Sequence, residues 1–244
     1  MLDILFEDNH IIVCIKPSGI ASQTENSTAP DMVSTIMNYQ KSSGIKIPYT
    51  GVIHRLDKPV EGIMVYAKNK NAAALLSKEL QQHNFSKSYK AVLCTKNILS
   101  LNSEPLTLKD YLVFDRKNNL SDICQQEIPG SKKALLEYNI MESIPLSSCQ
   151  FLDASLLNKE LSSGINYLSL ADVKLITGRH HQIRIQFSRR NMPLWGDRKY
   201  SDYDFSGTNI ALCAYNLSFP HPVTGKKMEF TISPSNNIFK NFTC

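Results

Sequence analysis

Hydrophobic and polar positions along the chain fall into short alternating or continuous apolar runs, broken by a few stretches with helical spacing. Residues 2–16, LDILFEDNHIIVCIK, read as two short strands around a Glu-Asp-Asn turn, closed by Pro17, Ser18 and Gly19. In DMVSTIMNYQKS, Asp31 is placed to cap a helix, and Val33, Ile36, Met37 and Gln40 fall at helical spacing. GIMVYAK, residues 62–68, predicts a strand. NAAALLSKELQQHNF predicts a helix capped by Asn71, with Ala72, Leu76 and Leu80 on one face. SYKAVLC is another strand. From Lys96 to Lys133 the chain is polar and rich in Asn, Ser and Asp, which predicts surface loops and short strands.

ALLEYNIME and YLSLADVKLIT follow as strands, the second alternating Ala171, Val173 and Leu175 with Asp172, Lys174 and Ile176. After Thr177 and Gly178 the spacing turns helical, with Ile183 and Phe187 four apart. Two strands close the chain near ALCAYNLSF and KMEFTIS, joined by a turn over His221–Gly225. Many strands and about three helices, in interrupted order, imply an α+β fold with a largely antiparallel sheet rather than a doubly wound parallel one. No repeat or low-complexity linker marks a boundary, so the expectation is a single domain over residues 1–244.

Composition narrows the class. The chain has 244 residues, 42% of them hydrophobic, enough for a core. No apolar run approaches the ~18 residues of a membrane helix, and the N-terminus lacks the pattern of a signal peptide. The six cysteines are scattered, with no CxxC pair, so neither a zinc knuckle nor a disulfide framework is indicated; they fit a reducing cytoplasm. No long apolar stripe is left over, which points to a monomer. The net charge is +5 but uneven: from Lys174 to Lys199 seven Lys or Arg face one Asp, leaving that stretch at +6. A local basic surface suits a polyanion such as RNA, and equally a solvated face.

Three stretches carry candidate chemistry. In VIHRLDKPVEG, Arg55 and Asp57 interrupt an apolar run. If the run is a strand, both side chains share a face. A free aspartate titrates near pH 4, so at neutral pH such a carboxylate can attack or take a proton. A structural Arg–Asp pair, or an Asp opening a turn with Pro59, fits the same residues. In LITGRHHQIRIQFSRR, His180, His181 and Arg184 fall within one sector of a helix. Adjacent histidines point apart on a helix and make a poor metal pair, which leaves a basic helix start facing phosphates or an Arg reaching a carboxylate. In KSYKAVLC, Tyr89 sits between Lys87 and Lys90, as a core residue or as a base-stacking one.

These stretches together resemble a known family. HRLDKPVEGIMVYAK resembles the HRLD-x-x-T/S-x-G-L-L-x-x-A-K signature of the RluA-type pseudouridine synthases. KSYKAVL resembles that family's K-x-Y-x-A segment, TGRHHQIRI its T-G-R-x-H-Q-I-R element, and PLWGDRKY its P-I-x-G-D-x-x-Y. DILFEDNHIIVCIKPSGI resembles the family's opening. The five motifs occur in family order over nearly the whole chain.

The resemblance implies an α+β fold with a long mixed, mostly antiparallel sheet, flanking helices and a central cleft. It implies isomerisation of uridine to pseudouridine in ribosomal or transfer RNA, with no cofactor and no metal. By position, Asp57 matches the catalytic aspartate, Tyr89 the tyrosine that stacks on the flipped base, and Arg184 the basic residue that pairs with the aspartate. Arg55 matches the arginine that fills the gap left by the base. His54, Lys58, Arg179, His181 and Gln182 are the further candidates for RNA contact. No S4-like RNA-binding domain precedes residue 3, so the expectation is a catalytic domain that selects its own RNA. The alternative is a catalytically silent RNA-binding or chaperone domain of the same fold; a carboxylate-dependent hydrolase would need Glu61, expected on the turn, as its second acid. The chain departs from the family pattern at Val60 and Glu61, where Thr and Ser are usual, at His180, at Gln186 in place of a second His, and at Ser201.

Overall fold

Several runs of the chain bury every residue, the longest of them 60–67 and 181–187. The computed structural model describes residues 2–24, 29–124, 126–151, 164–205 and 208–243. These divide into two compact units, Met1–Lys87 with Cys213–Ser233, and Ser88–Leu212 with Pro234–Cys244. Each unit is built on mostly antiparallel sheet with helices beside it, an α+β arrangement.

In the first unit, β1 (Asp3–Glu7) and β2 (Ile11–Lys16) form the expected hairpin. Its turn is closed by Asp8, whose carboxylate accepts the His10 and Ile11 amides at 2.7 and 2.8 Å. β3 (Gly51–Val52) and β2 both pair with β4 (Glu61–Ala67) in antiparallel register. β10 (Leu212–Pro220) runs parallel to β4, and β11 (Lys227–Thr231) closes antiparallel on β10. All seven residues of β4 are buried, which is why its sequence reads as a continuous apolar run rather than an alternation.

Helix α1 (Met32–Ser42) begins as expected at Asp31. The Asp31 carboxylate accepts the Ser34 amide at 2.7 Å, and the Ser34 hydroxyl accepts the Asp31 amide at 3.1 Å, a reciprocal cap. Its buried face is Met32, Ile36 and Gln40, and the Gln40 amide group grips the backbone of Tyr49 through both its oxygen and its nitrogen. Helix α2 (Lys70–Gln81) starts earlier than expected: Asn69, not Asn71, accepts the Ala72 amide at 2.8 Å. Ala72 and Leu76 are fully buried against Ile11, Val65, Phe85 and Phe219. At about 1.5–3 kcal/mol per large buried apolar side chain, this packing outweighs the helix's weak intrinsic propensity to form.

The second unit orders its strands β5 (Ser86–Thr95), β9 (Tyr167–Leu175), β8 (Lys132–Pro145), β6 (Leu106–Asp115) and β7 (Leu120–Cys124), antiparallel throughout. The polar stretch expected to form loops and short strands instead carries β6, ten residues long, in a hairpin with β7. Only Leu108 and Leu112 of β6 are buried, so the strand shows little apolar alternation to read. Helix α3 (Gln182–Ser188) is short. The core of this unit packs Trp195 and Phe205 against Val92, Leu146, Leu168 and Ile238.

Burial pushes the thiols of Cys14 and Cys149 up, to about 12 and about 11, so neither is poised to act as a thiolate. Cys244 lies outside the described residues. No helix among the described residues is long and apolar enough to cross a membrane.

Gly62 is required by the close approach of β4 and β10. Its φ is +145°, and a Cβ there would lie 2.5 Å from Ala214 Cβ and 2.6 Å from the Ala214 carbonyl oxygen. Gly62→Ala is therefore expected to lower the unfolding free energy by about 3 kcal/mol or more, from backbone strain plus overpacking. Urea unfolding checks this; a change under about 1 kcal/mol would mean that the strands part at little cost.

Candidate active site

The candidate residues divide between the units: His54, Arg55, Asp57 and Lys58 in the first, Tyr89, Arg179, His181, Gln182 and Arg184 in the second. In the first unit, the reading of the HRLD run as a strand is corrected. β3 stops at Val52 and β4 starts at Glu61, so residues 53–60 form a loop. Backbone partners for this loop come from residues 16–22. The Ser22 hydroxyl accepts the Leu56 amide at 3.0 Å and donates to the Leu56 carbonyl at 2.8 Å, standing in for a strand neighbour. The Lys58 carbonyl accepts the Gly19 amide at 2.9 Å and the Lys16 ammonium at 3.1 Å, and Ser18 donates to the Pro59 carbonyl at 2.7 Å. The Val60 amide bonds the Asp57 carbonyl at 3.0 Å and closes a turn over Lys58 and Pro59. The peptide units on both sides of Asp57 are thus held, which fixes the direction of its half-buried side chain. Arg55 and Lys58 are exposed on the same loop.

Lys16, a residue absent from the sequence-derived candidates, is fully buried beneath this loop. Its ammonium donates to the carbonyls of Pro17, Ile20 and Lys58 at 2.9, 2.8 and 3.1 Å, one for each of its protons. Burial pushes its pKa down to about 8, against the opposing pull of the negative charges of Asp57 and Glu61. Glu61 is not on the turn, as expected, but opens β4 and is 8% exposed.

His54 faces the core of this unit. Its Nε2 accepts the Val65 amide at 3.3 Å, and its ring lies edge-on to Phe85. Burial, helped by the charge of Lys87, pushes its pKa down to about 3.

In the second unit, Tyr89 is buried in β5, opposite Val173 of β9. The segment after β9 is a turn organised by Gln182, whose side-chain oxygen accepts the Thr177 hydroxyl at 2.8 Å and the Arg179 amide at 3.0 Å. The Gln182 amide donates to the Leu135 carbonyl at 3.1 Å, tying the turn to β8. Arg179 is exposed, its Nε donating to the Lys133 carbonyl at 2.9 Å.

The expected helical phase of His180 and His181 is also corrected. α3 begins only at Gln182, and His181 adopts a left-handed φ of 52°. Instead of pointing apart, the two imidazoles stack at 3.7 Å and 30°. His181 shares a 2.7 Å hydrogen bond with the Tyr200 hydroxyl, and burial, then the charges of Arg184, His180 and Lys199, pushes its pKa down to about 2.

Arg184 is buried and makes a two-pronged pair with Asp197, at 2.8 and 2.7 Å, with its guanidinium 5.2 Å from the Tyr200 ring centre. Asp197 also accepts the Lys199 amide at 2.9 Å. The GDRKY motif was the signal that could have singled out Asp197, as KPSG could have for Lys16. The basic stretch is partly offset by acids from elsewhere in the chain: Arg189 pairs with Asp122, Arg190 with Asp110, and Lys174 approaches Glu137. Among the described residues, no cluster of three or more His, Cys, Asp or Glu is arranged to hold a metal ion.

The chain is similar to known proteins in both sequence and fold. A sequence model of the family described as RNA pseudouridylate synthase matches residues 10–189. An uncharacterized RNA pseudouridine synthase of Bacillus subtilis (strain 168) is 27% identical, over 91% of this chain and 65% of its own length. Ribosomal large subunit pseudouridine synthase D of Vibrio cholerae is 28% identical, over 94% of this chain and 66% of its own length. The chain thus spans just under two thirds of the length of these relatives. The fold matches that of human RNA pseudouridylate synthase domain containing 4 with a TM-score of 0.70, at 17% identity, over 98% of this chain and 92% of that one.

The two buried imidazoles make stability depend on pH with a defined sign. Above about pH 6.5 both rings are neutral in the folded and the unfolded chain. Below it, the unfolded chain takes up protons that the folded one refuses, so stability falls as pH falls, by about 1.4 kcal/mol per pH unit for each ring. Between pH 6.5 and 5 the unfolding free energy is expected to drop by roughly 2 kcal/mol per ring. His54→Gln, which keeps an acceptor for Val65, should remove about half of that slope in urea titrations. An unchanged slope would show that His54 does not carry it.

Proposed function

The chain belongs to the RNA pseudouridylate synthase family, and on that premise we propose that it isomerises uridine to pseudouridine in RNA. The observation that carries the reading is the loop at residues 53–60, held from both sides so that Asp57 presents its carboxylate from a fixed backbone. Isomerisation breaks the bond between N1 and C1′, turns the base, joins C5 to C1′ and releases the C5 proton. It needs a positioned carboxylate more than a redox or group-transfer centre.

In this reading Asp57 starts the reaction, either by attack on C1′ or by taking the C2′ proton. Tyr89 supports the base by stacking, a role that needs no ionised phenol, whereas proton removal would. Arg184 supplies positive charge to the reacting centre, and Asp197 sets the plane of its guanidinium. Arg55, exposed beside Asp57, takes the space left by the base, offsetting part of the few kcal/mol that flipping costs. Lys58 and Arg179, both exposed, meet phosphates. His54, His181 and Gln182 serve the frame rather than the RNA, since each engages protein groups from a buried position. A ribosomal RNA is the first substrate to try, given the name of the Vibrio relative, with transfer RNA next.

The test is tritium release from ribosomal and transfer RNA labelled at uridine C5 and taken from cells lacking this protein. Wild type is expected to release tritium, and Asp57→Asn to release it at least about 10³-fold more slowly with RNA binding retained. Release at the wild-type rate by Asp57→Asn would overturn the role of Asp57. Bound RNA without release by wild type would favour a silent RNA-binding domain.

A further inference from the structure

The hairpin of β6 and β7 is seated on the turn that carries the histidines. Ser121 of β7 lies opposite Phe114 of β6, and its hydroxyl is 2.9 Å from His180 Nδ1 and donates to the His180 carbonyl at 2.8 Å. The Ser121 amide donates to the Tyr200 hydroxyl at 2.8 Å, and Lys199 donates to the Asn119 carbonyl at 2.6 Å. Four anchors at two hairpin positions, Asn119 and Ser121, are more than a passive excursion needs.

The same seat builds a run of rings. Phe114 lies 4.0 Å from His180, His180 stacks on His181 at 3.7 Å, and His181 meets the Tyr200 ring edge-on at 5.4 Å. Two imidazoles at that separation avoid repulsion when one stays neutral, and burial keeps His181 so. The outer end of the run is open: Phe114 is 42% exposed. Arg116 and Lys117 stand exposed at the hairpin tip, and Arg179, beside His180, is exposed as well. An aromatic face standing among cations suits a nucleobase with its phosphates better than it suits an apolar protein surface.

We propose that Phe114, backed by His180, is a stacking platform for an unpaired base of the RNA substrate. The proposal rests on the isomerase reading and adds to it the element that selects the RNA. Stacking tolerates any base, so the platform recognises an unstacked nucleotide rather than a sequence.

Tryptophan at this position gives a direct readout, because the chain's single Trp195 is buried. Indole emission from Phe114→Trp is expected to be quenched by a 12-nucleotide oligouridine, and not by a 12-unit abasic ribose-phosphate chain. Phe114→Ala is expected to weaken oligouridine binding about tenfold and, in the tritium assay, to raise KM with kcat within twofold. Thermal melting confirms that both variants fold. Equal quenching by the abasic chain, no quenching, or an unchanged KM in a wild-type background that is active would overturn the platform. Quenching by oligouridine with no tritium release by wild type would keep the platform and sink the isomerase reading instead.

Discussion

A buried ammonium holds the candidate catalytic loop in place. Lys16 ends β2 inside the protein, where an isolated cation would cost several kcal/mol. It is tolerated because three carbonyl oxygens take its three protons and because Asp57 and Glu61 supply negative charge nearby. The dependence runs both ways. One of the three carbonyls belongs to Lys58, the residue after Asp57, so the bond that satisfies the cation also pins the turn that follows the carboxylate. Ser22 completes the arrangement from the other side by holding Leu56. A loop with neither strand partner nor helix is thereby tied at several backbone groups to residues 16–22, and a positioned carboxylate requires such anchoring.

How much of this was legible in the sequence depends on whether the governing interaction is local. The Asp31 cap was legible because cap and amide lie three residues apart. β4 was legible because burial on both faces leaves a continuous apolar run. The shift of the α2 cap from Asn71 to Asn69 is a choice between two nearby asparagines that periodicity cannot make. The loop at 53–60 was not legible as a loop: Ile53, His54 and Leu56 are all buried, as in a strand, yet their partners are a serine hydroxyl over thirty residues earlier and a core phenylalanine. The left-handed backbone of His181 was equally hidden, since a non-glycine residue accepts that conformation only where tertiary contacts, here Tyr200 and His180, hold it.

Charge was read correctly as a count and incompletely as a surface. The +6 stretch from Lys174 to Lys199 contains Arg184, buried on Asp197, and Arg189 and Arg190, paired with acids of β7 and β6. The cations left on display are fewer, and Arg179 and Arg198 are among them. Basic residues distant in sequence, at the hairpin tip, join them as exposed charge on the second unit.

Two of the departures from the family pattern, His180 and Gln186, acquire a common explanation in the second unit. His180 binds Ser121 of β7 and packs on Phe114 of β6. Gln186 donates to Asp110 of β6 at 2.6 Å and reaches the Leu108 carbonyl. Both positions sit within or beside α3, and both turn toward the hairpin rather than toward Arg184's pair with Asp197. The motif residues proposed for the chemistry match the family pattern, while these two departing positions are fitted to the polar hairpin. A hairpin that only decorated the surface would leave those positions free to keep their usual residues. The hairpin instead engages both: Ser121 partners His180, and Leu108 and Asp110 accept from the Gln186 amide nitrogen, while the Gln186 Oε1 is buried with no hydrogen-bond partner among the described residues. On the proposed reading, substrate choice is expected to lie in β6 and β7 and in the two motif positions that seat them, with the reaction carried by the proposed residues Asp57, Tyr89 and Arg184.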